Sequence, residues 1–311
     1  MRRFPAVEAF RGNSNLIRVV GHRGARGILP ENTLIGFEFA VSSGASLIEF
    51  DVVMSSDNVP VITHNHRLHA PTFRDQDGAF IIHEPKVSDL TWEDIQTFDV
   101  GRIDGRSEYG RRFPDQAQID GLKVPSLSQL LTILGEKKYS EAHLMLEIKS
   151  DPYALHDEQK RRSTLSTILN EVRKAAFDQR TLIHSFDWRM LATCRKLAPE
   201  IPISFLTQLP EQTDDIGEDS SKLVNPDFSG RENLIPNLVA ESGGSLWCPY
   251  FRDVTAEAAK LAHEQGLVTA VWTVNEPADI KQMVELGVDA IISDYPGRVQ
   301  RYLADQGYSW D

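Results

Sequence analysis

Cysteine is scarce. The 311 residues hold only Cys194 and Cys248, too few for a disulfide framework, and no CxxC or Cys/His cluster offers a zinc site. Both read as ordinary buried thiols, the usual state of free cysteine. Long apolar runs are missing as well, and nothing approaches the ~20 residues of a membrane span. The opening Met1-Arg2-Arg3 imitates the charged start of a secretory leader. Pro5, Glu8 and Arg11 then interrupt the chain before any apolar segment of ~7–15 residues can form. A soluble, cytoplasmic protein is therefore expected. Excess positive charge is also lacking: 33 Lys and Arg face 45 Asp and Glu, a formal net charge of −12. That excludes nucleic acid or an anionic membrane held by a general positive field, though a small cationic pocket remains compatible. Solenoid-type repeats, GxGxxG and Gly-Lys-Ser/Thr are absent too, which removes the dinucleotide and Walker readings.

What is present is a soluble globular composition, 41% apolar and 25% charged, in a chain long enough to bury about three quarters of its unfolded surface. One unit recurs: an amphipathic helix, a glycine, then a short apolar strand. Residues 34–43 carry Leu34, Phe37 and Val41 on one face, stop at Gly44 and lead into a strand at 47–51. Residues 255–265 stop at Gly266 and lead into 267–274; residues 277–286 stop at Gly287 and lead into 288–294. Glycine just past a helix takes the left-handed cap conformation that other residues resist. Further strand-like runs lie at 16–21, 59–64, 144–149, 181–186, 201–206 and 245–249. Helices alternating with fully apolar strands imply a parallel sheet covered by helices. Eight strands would close a (β/α)8 barrel, so one of the nine is a hairpin arm or lies outside it. The stretch 51–59 is too short for a crossover helix. Residues 65–124, rich in Gly, Asp and Arg, read as an insertion after the third strand, and the acidic run 211–221 reads as a solvated loop.

Chemistry collects where the strands end. The first ends in Gly21-His22-Arg23-Gly24, the second in Glu49-Phe50-Asp51, the third in Thr63-His64 and the fourth in Glu147-Ile148-Lys149. Strand side chains alternate between faces, so Glu49 and Asp51 share one face, as do Glu147 and Lys149. Two histidines, three carboxylates, an arginine and a lysine thus gather at the carboxyl ends of strands, where parallel barrels build their active sites. Each residue has a bland alternative: a structural histidine, a capping carboxylate, a lysine that neutralises Glu147. Those alternatives would all have to hold on adjacent strand ends. Three carboxylates without cysteine make a hard oxygen site for Mg²⁺ or Ca²⁺. Two histidines beside such a cation suit general acid and base catalysis, and Arg23 and Lys149 would offset a substrate phosphate. The constellation points to metal-assisted phosphoryl transfer.

In order and spacing, Gly21-His22-Arg23-Gly24-Ala25, Pro30-Glu31-Asn32-Thr33, Glu49-x-Asp51, His64, Glu147-Ile148-Lys149, Trp272-Thr273-Val274-Asn275 and Ile292-Ser293-Asp294-Tyr295-Pro296 resemble the glycerophosphodiester phosphodiesterase family. The likeness runs from about residue 17 to 300. It implies one barrel domain of the phospholipase C-like phosphodiesterase variety across 1–311, with the insertion at 65–124. It also implies a small-molecule glycerophosphodiester as substrate, yielding sn-glycerol 3-phosphate and an alcohol. Carried over by position, His22 and His64 become the acid–base pair, and Glu49, Asp51 and Glu147 the ligands of one divalent cation. Arg23 and Lys149 would contact the phosphate, and Trp272 would line the alcohol side. The chain departs from the family in having Asn65, where Asp usually follows the second histidine, and in lacking the usual Arg-Thr-Thr pattern within 68–77. The rivals are a phospholipase D-like or lysophospholipid phosphodiesterase on the same barrel, and a non-catalytic module for phosphorylated ligands. The last would have no need of two titrating histidines.

Overall fold

All nine strand-like runs form strands in the computed structural model, which describes residues 4–12, 15–152, 157–210 and 224–310. Met1-Arg2-Arg3 and the acidic run 211–221 lie outside the described residues. The chain begins with α1 (Pro5–Glu8), β1 (Arg18–His22), α2 (Leu34–Ser42), β2 (Leu47–Met54) and β3 (Pro60–Ile62). The insertion carries α3 (Trp92–Ile95) and α4 (Glu108–Arg111), followed by α5 (Leu127–Leu134), β4 (His143–Ile148), α6 (Glu158–Lys174) and β5 (Thr181–Ser185). Then come α7 (Trp188–Leu197), β6 (Ile203–Thr207), α8 (Ile235–Glu241), β7 (Leu246–Pro249) and α9 (Ala256–Glu264). The last elements are β8 (Val268–Val271), α10 (Pro277–Glu285), β9 (Ala290–Ser293) and α11 (Pro296–Asp305).

Eight strands pair in parallel in the order β1, β2, β4, β5, β6, β7, β8, β9, and β9 closes on β1. This is a closed (β/α)8 barrel. Helix starts are set by side-chain caps: Thr33 accepts from the Gly36 amide, and Thr255 from that of Ala258. Gly44 and Gly266 follow their helices at φ +89° and +74°, left-handed values that a side chain would strain.

The extra strand is the third. Val53 and Met54 extend β2 past its barrel partners, and together with Val52 they pair antiparallel with Val61, Pro60 and Ile62 of β3. The turn between them is tight, with Asn58 at φ 63° and the Ser55 hydroxyl accepting from the Val59 amide at 2.9 Å. A parallel return would have required a crossover of a dozen residues or more. Strands taken in chain order would put the first and third on either side of the second; in the barrel wall the neighbours of β2 are β1 and β4 instead. His64 instead descends from the hairpin, where the Thr63 amide donates to the Asp51 carbonyl at 3.1 Å.

Alternation along the strands divides the barrel interior into two levels. Val20, Leu47, Met145, Leu182, Leu246, Val268 and Ala290 form an apolar lower layer, joined by Val7 and Phe10 from the N-terminal segment. One step towards the carboxyl ends, the same faces present His22, Glu49, Glu147 and His184, while on β9 Ile292 is still apolar and Asp294 follows one step beyond it. The larger core lies outside the barrel wall, between strands and helices. The insertion has a small core of its own, in which Leu68, Phe73, Val87, Ile95, Val100 and Val124 pack on Val53 and Val61 of the hairpin. Arg74 braces it, with Nη2 2.6 Å from both Asp99 and Asp120.

Candidate active site

The first turn of the site follows from its glycines. A Cβ at Gly21 would lie 2.1 Å from the Gly24 carbonyl oxygen, so only glycine allows this close approach. Arg23 takes φ 50° and Gly24 φ 86°, which turns the chain sharply after β1 and leaves His22 facing inward. Its Nδ1 lies 2.6 Å from Asp294 Oδ1, and its Nε2 lies 3.7 Å from Glu49 Oε2. Asp294 is itself fixed: Arg26 donates from Nε at 2.8 Å and Nη2 at 3.1 Å, and Asn275 from Nδ2 at 2.7 Å. Burial would raise the Asp294 carboxyl, but Arg26 and His22 outweigh it and hold the group well below the usual carboxylate range. Burial lowers His22 below its ordinary value and outweighs the pull of Asp294. An ionised carboxylate can only accept, so Nδ1 carries the ring proton and Nε2 presents a lone pair towards Glu49.

His64 is half-buried, and its Nδ1 lies 2.6 Å from the Asn65 side-chain oxygen. The neutral residue that replaces the family's usual Asp thus keeps the hydrogen bond and loses the charge.

Between the histidines lies a buried charge network. Glu49, Asp51, Glu147 and Lys149 are each at most 6% exposed. Lys149 Nζ sits 3.0 Å from Asp51 Oδ1 and 2.7 Å from Glu147 Oε1. The other Asp51 oxygen accepts from Asn32 Nδ2 at 3.0 Å and lies 3.3 Å from Arg23 Nε. Burial would raise Asp51, but Lys149, His64 and Arg23 reverse that and keep it ionised. Arg23 also donates to Glu31 at 2.8 Å, and its amide donates to Glu49 Oε2 at 3.1 Å. Tyr109, from α4 of the insertion, donates to Glu31 and accepts from Arg26 Nη1 at 3.1 Å. The insertion therefore reaches the catalytic end and braces it.

Glu31, Glu49, Asp51, Glu147 and Asp294 are joined in this network by Arg23, Arg26 and Lys149. Five carboxylates against these three cations leave an excess of negative charge. One divalent cation fits that excess. Among the described residues, Glu49, Glu147 and His184 each offer a ligand atom within 4.8 Å of the others. Asp51 lies beside this trio, engaged by Lys149, Asn32 and Arg23. Trp272, just past β8, is half-buried; its indole donates to the Cys248 carbonyl at 2.9 Å and packs edge-on against Phe186.

The structure thus brings together His22, Arg23, Glu49, Asp51, His64, Glu147 and Lys149, with Trp272 on the far wall. Reasoning from the sequence did not assign roles to Asp294, Arg26, Asn275 or His184. For the first and last, the signal was strand alternation carried one step further, from Ile292 and Leu182 respectively.

The described helices include none long and apolar enough to cross a membrane. The model of the glycerophosphoryl diester phosphodiesterase family matches residues 22–298. A glycerophosphodiester phosphodiesterase of Caldanaerobacter subterraneus is 26% identical over 278 residues, which are 89% of this chain and 94% of that protein. A crystal structure from Silicibacter pomeroyi, of a protein provisionally named a glycerophosphoryl diester phosphodiesterase, is 46% identical with a TM-score of 0.90. That similarity covers 99% of this chain and 100% of the other. An Oleispira antarctica phosphodiesterase, solved in complex with the product sn-glycerol-3-phosphate, shares the fold at 21% identity and a TM-score of 0.68, over 93% of this chain and 97% of that one. With its motifs in order around one barrel mouth and the family match spanning nearly its whole length, the chain belongs to the glycerophosphoryl diester phosphodiesterase family.

Proposed function

We propose that the protein hydrolyses glycerophosphodiesters to sn-glycerol 3-phosphate and an alcohol, with His22 as general base and His64 as general acid. The observation that carries this reading is the state of His22: its Nδ1 is held by an ionised, buried Asp294, and its Nε2 is open towards the carboxylate cluster. His22 Nε2 takes the proton of the nucleophile as the new P–O bond forms: water gives sn-glycerol 3-phosphate directly, whereas the substrate's own 2-hydroxyl gives a cyclic phosphate that water opens in a second displacement. His64 gives a proton to the alcohol oxygen as the old P–O bond breaks, with its ring oriented by Asn65. Arg23 and Lys149 face the phosphate, and Trp272 lines the side of the alcohol. Glu49, Asp51 and Glu147 would hold one divalent cation, Mg²⁺ or Ca²⁺ by the hardness of their oxygens, which when bound supplies positive charge against the phosphodiester.

A cavity of about 950 Å³ adjoins the cluster at Lys149 and Asn65, and its walls include Arg67, Glu84, Lys86 and Asp187. A panel of glycerophosphodiesters (choline, ethanolamine and inositol esters), incubated with Mg²⁺ or Ca²⁺ and coupled to enzymatic detection of sn-glycerol 3-phosphate, tests the reading. Turnover of at least one member is expected. Silence across the panel with both metals would overturn it.

A further inference from the structure

His184 occupies the fourth residue of β5 and pairs in register with Glu147 of β4. It is 1% exposed, and neither ring nitrogen has a hydrogen-bond partner. Its Nε2 points to Glu49 Oε1 at 3.8 Å, too long for a hydrogen bond and short for unrelated neighbours. Burying an imidazole with both nitrogens unsatisfied is costly, and an apolar residue in the same place would avoid that cost. A buried polar group aimed at two carboxylates and bonded to neither has the character of a ligand waiting for its ion.

We propose that His184 is a nitrogen ligand of the divalent ion held by Glu49 and Glu147, giving the centre a mixed oxygen–nitrogen donor set that favours Mn²⁺ over Ca²⁺. The proposal rests on the metal site proposed above and changes its composition. Glu49, Glu147 and His184 come from β2, β4 and β5, three consecutive strands of the barrel wall, so rigid elements preset all three donors. Asp51 lies beside these donors and has a second task. With Lys149 on one oxygen and Asn32 on the other, it anchors the lysine beside Glu147. Imidazole binds first-row transition ions well and Ca²⁺ poorly, whereas carboxylates accept either. The third donor therefore decides the preference.

Chelator-stripped protein titrated with Mn²⁺ and followed by electron paramagnetic resonance tests this without any turnover. The expected result is one bound Mn²⁺ whose spin-echo decay carries ¹⁴N modulation from an imidazole. In His184→Gln the modulation disappears and Mn²⁺ affinity falls by about tenfold or more, while Ca²⁺ affinity changes much less. A His22→Gln, His64→Gln double variant leaves His184 as the remaining imidazole at the centre. It keeps the modulation and decides the matter should His184→Gln not fold. Mn²⁺ bound without ¹⁴N modulation, or modulation that survives His184→Gln, overturns the role of His184 and leaves the carboxylate metal site standing. Failure of the unaltered protein to bind Mn²⁺ while it still binds Ca²⁺ overturns the role of His184 alone, and failure to bind Mn²⁺, Mg²⁺ or Ca²⁺ overturns both.

Discussion

Asp294→Asn would test the base assignment most sharply, because it removes one charge and keeps the shape. In the native site every contact of the Asp294 side chain is accepted: Oδ1 takes His22 Nδ1 at 2.6 Å and Arg26 Nε at 2.8 Å, and Oδ2 takes Arg26 Nη2 at 3.1 Å and Asn275 Nδ2 at 2.7 Å. An amide has one accepting oxygen and one donating nitrogen. If the nitrogen replaces Oδ1, it meets Arg26 Nε donor to donor and invites His22 to carry its proton on Nε2, which abolishes the base. If it replaces Oδ2, it opposes both Arg26 Nη2 and Asn275 Nδ2. Either way kcat should fall by about 10²–10⁴-fold, the usual contribution of a positioned acid or base, or about 3–5 kcal/mol of barrier. KM should move little, because His22 acts on the proton of the nucleophile and not on bound phosphate. Arg26, 2% exposed, loses its anionic partner, so stability should also fall by about 3–5 kcal/mol. Steady-state kinetics by the coupled sn-glycerol 3-phosphate assay, beside a urea melt, separates the two effects. A folded variant with near-native kcat would refute the base assignment and leave Asp294 as an anchor for Arg26 alone.

His22→Ala and His64→Ala should each lower kcat by about 10²–10⁴-fold without unfolding the barrel, and the double variant should lose less than the product, which steady-state kinetics with circular dichroism will show. Lys149→Met should weaken binding of the phosphodiester and its transition state, seen as a fall in kcat/KM; unchanged kinetics would confine Lys149 to bridging Asp51 and Glu147. Glu31 is raised by burial but drawn down from 4.5 to about 2 by Arg23, Arg26 and its hydrogen bonds, a difference worth on the order of 3 kcal/mol of stability. That contribution is fully present above pH 4.5, shrinks as the pH falls towards about 2 and is gone below it. Urea midpoints should therefore show Glu31→Gln less stable than the native chain near neutrality, with the gap closing in acid; a gap independent of pH would contradict the ion-pair account.

Strands were legible because a parallel sheet buried on both faces leaves short, uninterrupted apolar runs, and Val20, Ile48, Leu146 and Ile183 lie in such runs. The direction of the third strand was not legible from its own letters. It follows from the short turn between Met54 and Pro60, which forbids a crossover. Glu49, Asp51, Glu147 and Lys149 could be grouped because each pair lies two residues apart on one strand. His22 and Asp294 are separated by 272 positions and meet only because β9 closes on β1, with Gly21 opposite Ser293. His184 was hidden for a related reason. One histidine in an apolar run carries no local signal, and its meaning arises only from its register with Glu147.

The central claim is that this carboxylate cluster, with its two histidines, cleaves a phosphodiester with a divalent ion present. The direct measurement is ³¹P nuclear magnetic resonance of a glycerophosphodiester turned over in H₂¹⁸O, before and after chelation. The predicted result is sn-glycerol 3-phosphate carrying ¹⁸O on phosphorus, no product once the chelator is added, and recovery when a divalent cation is returned. Release of a phosphorylated alcohol with free glycerol, or cleavage that proceeds unchanged in the chelator, would contradict it.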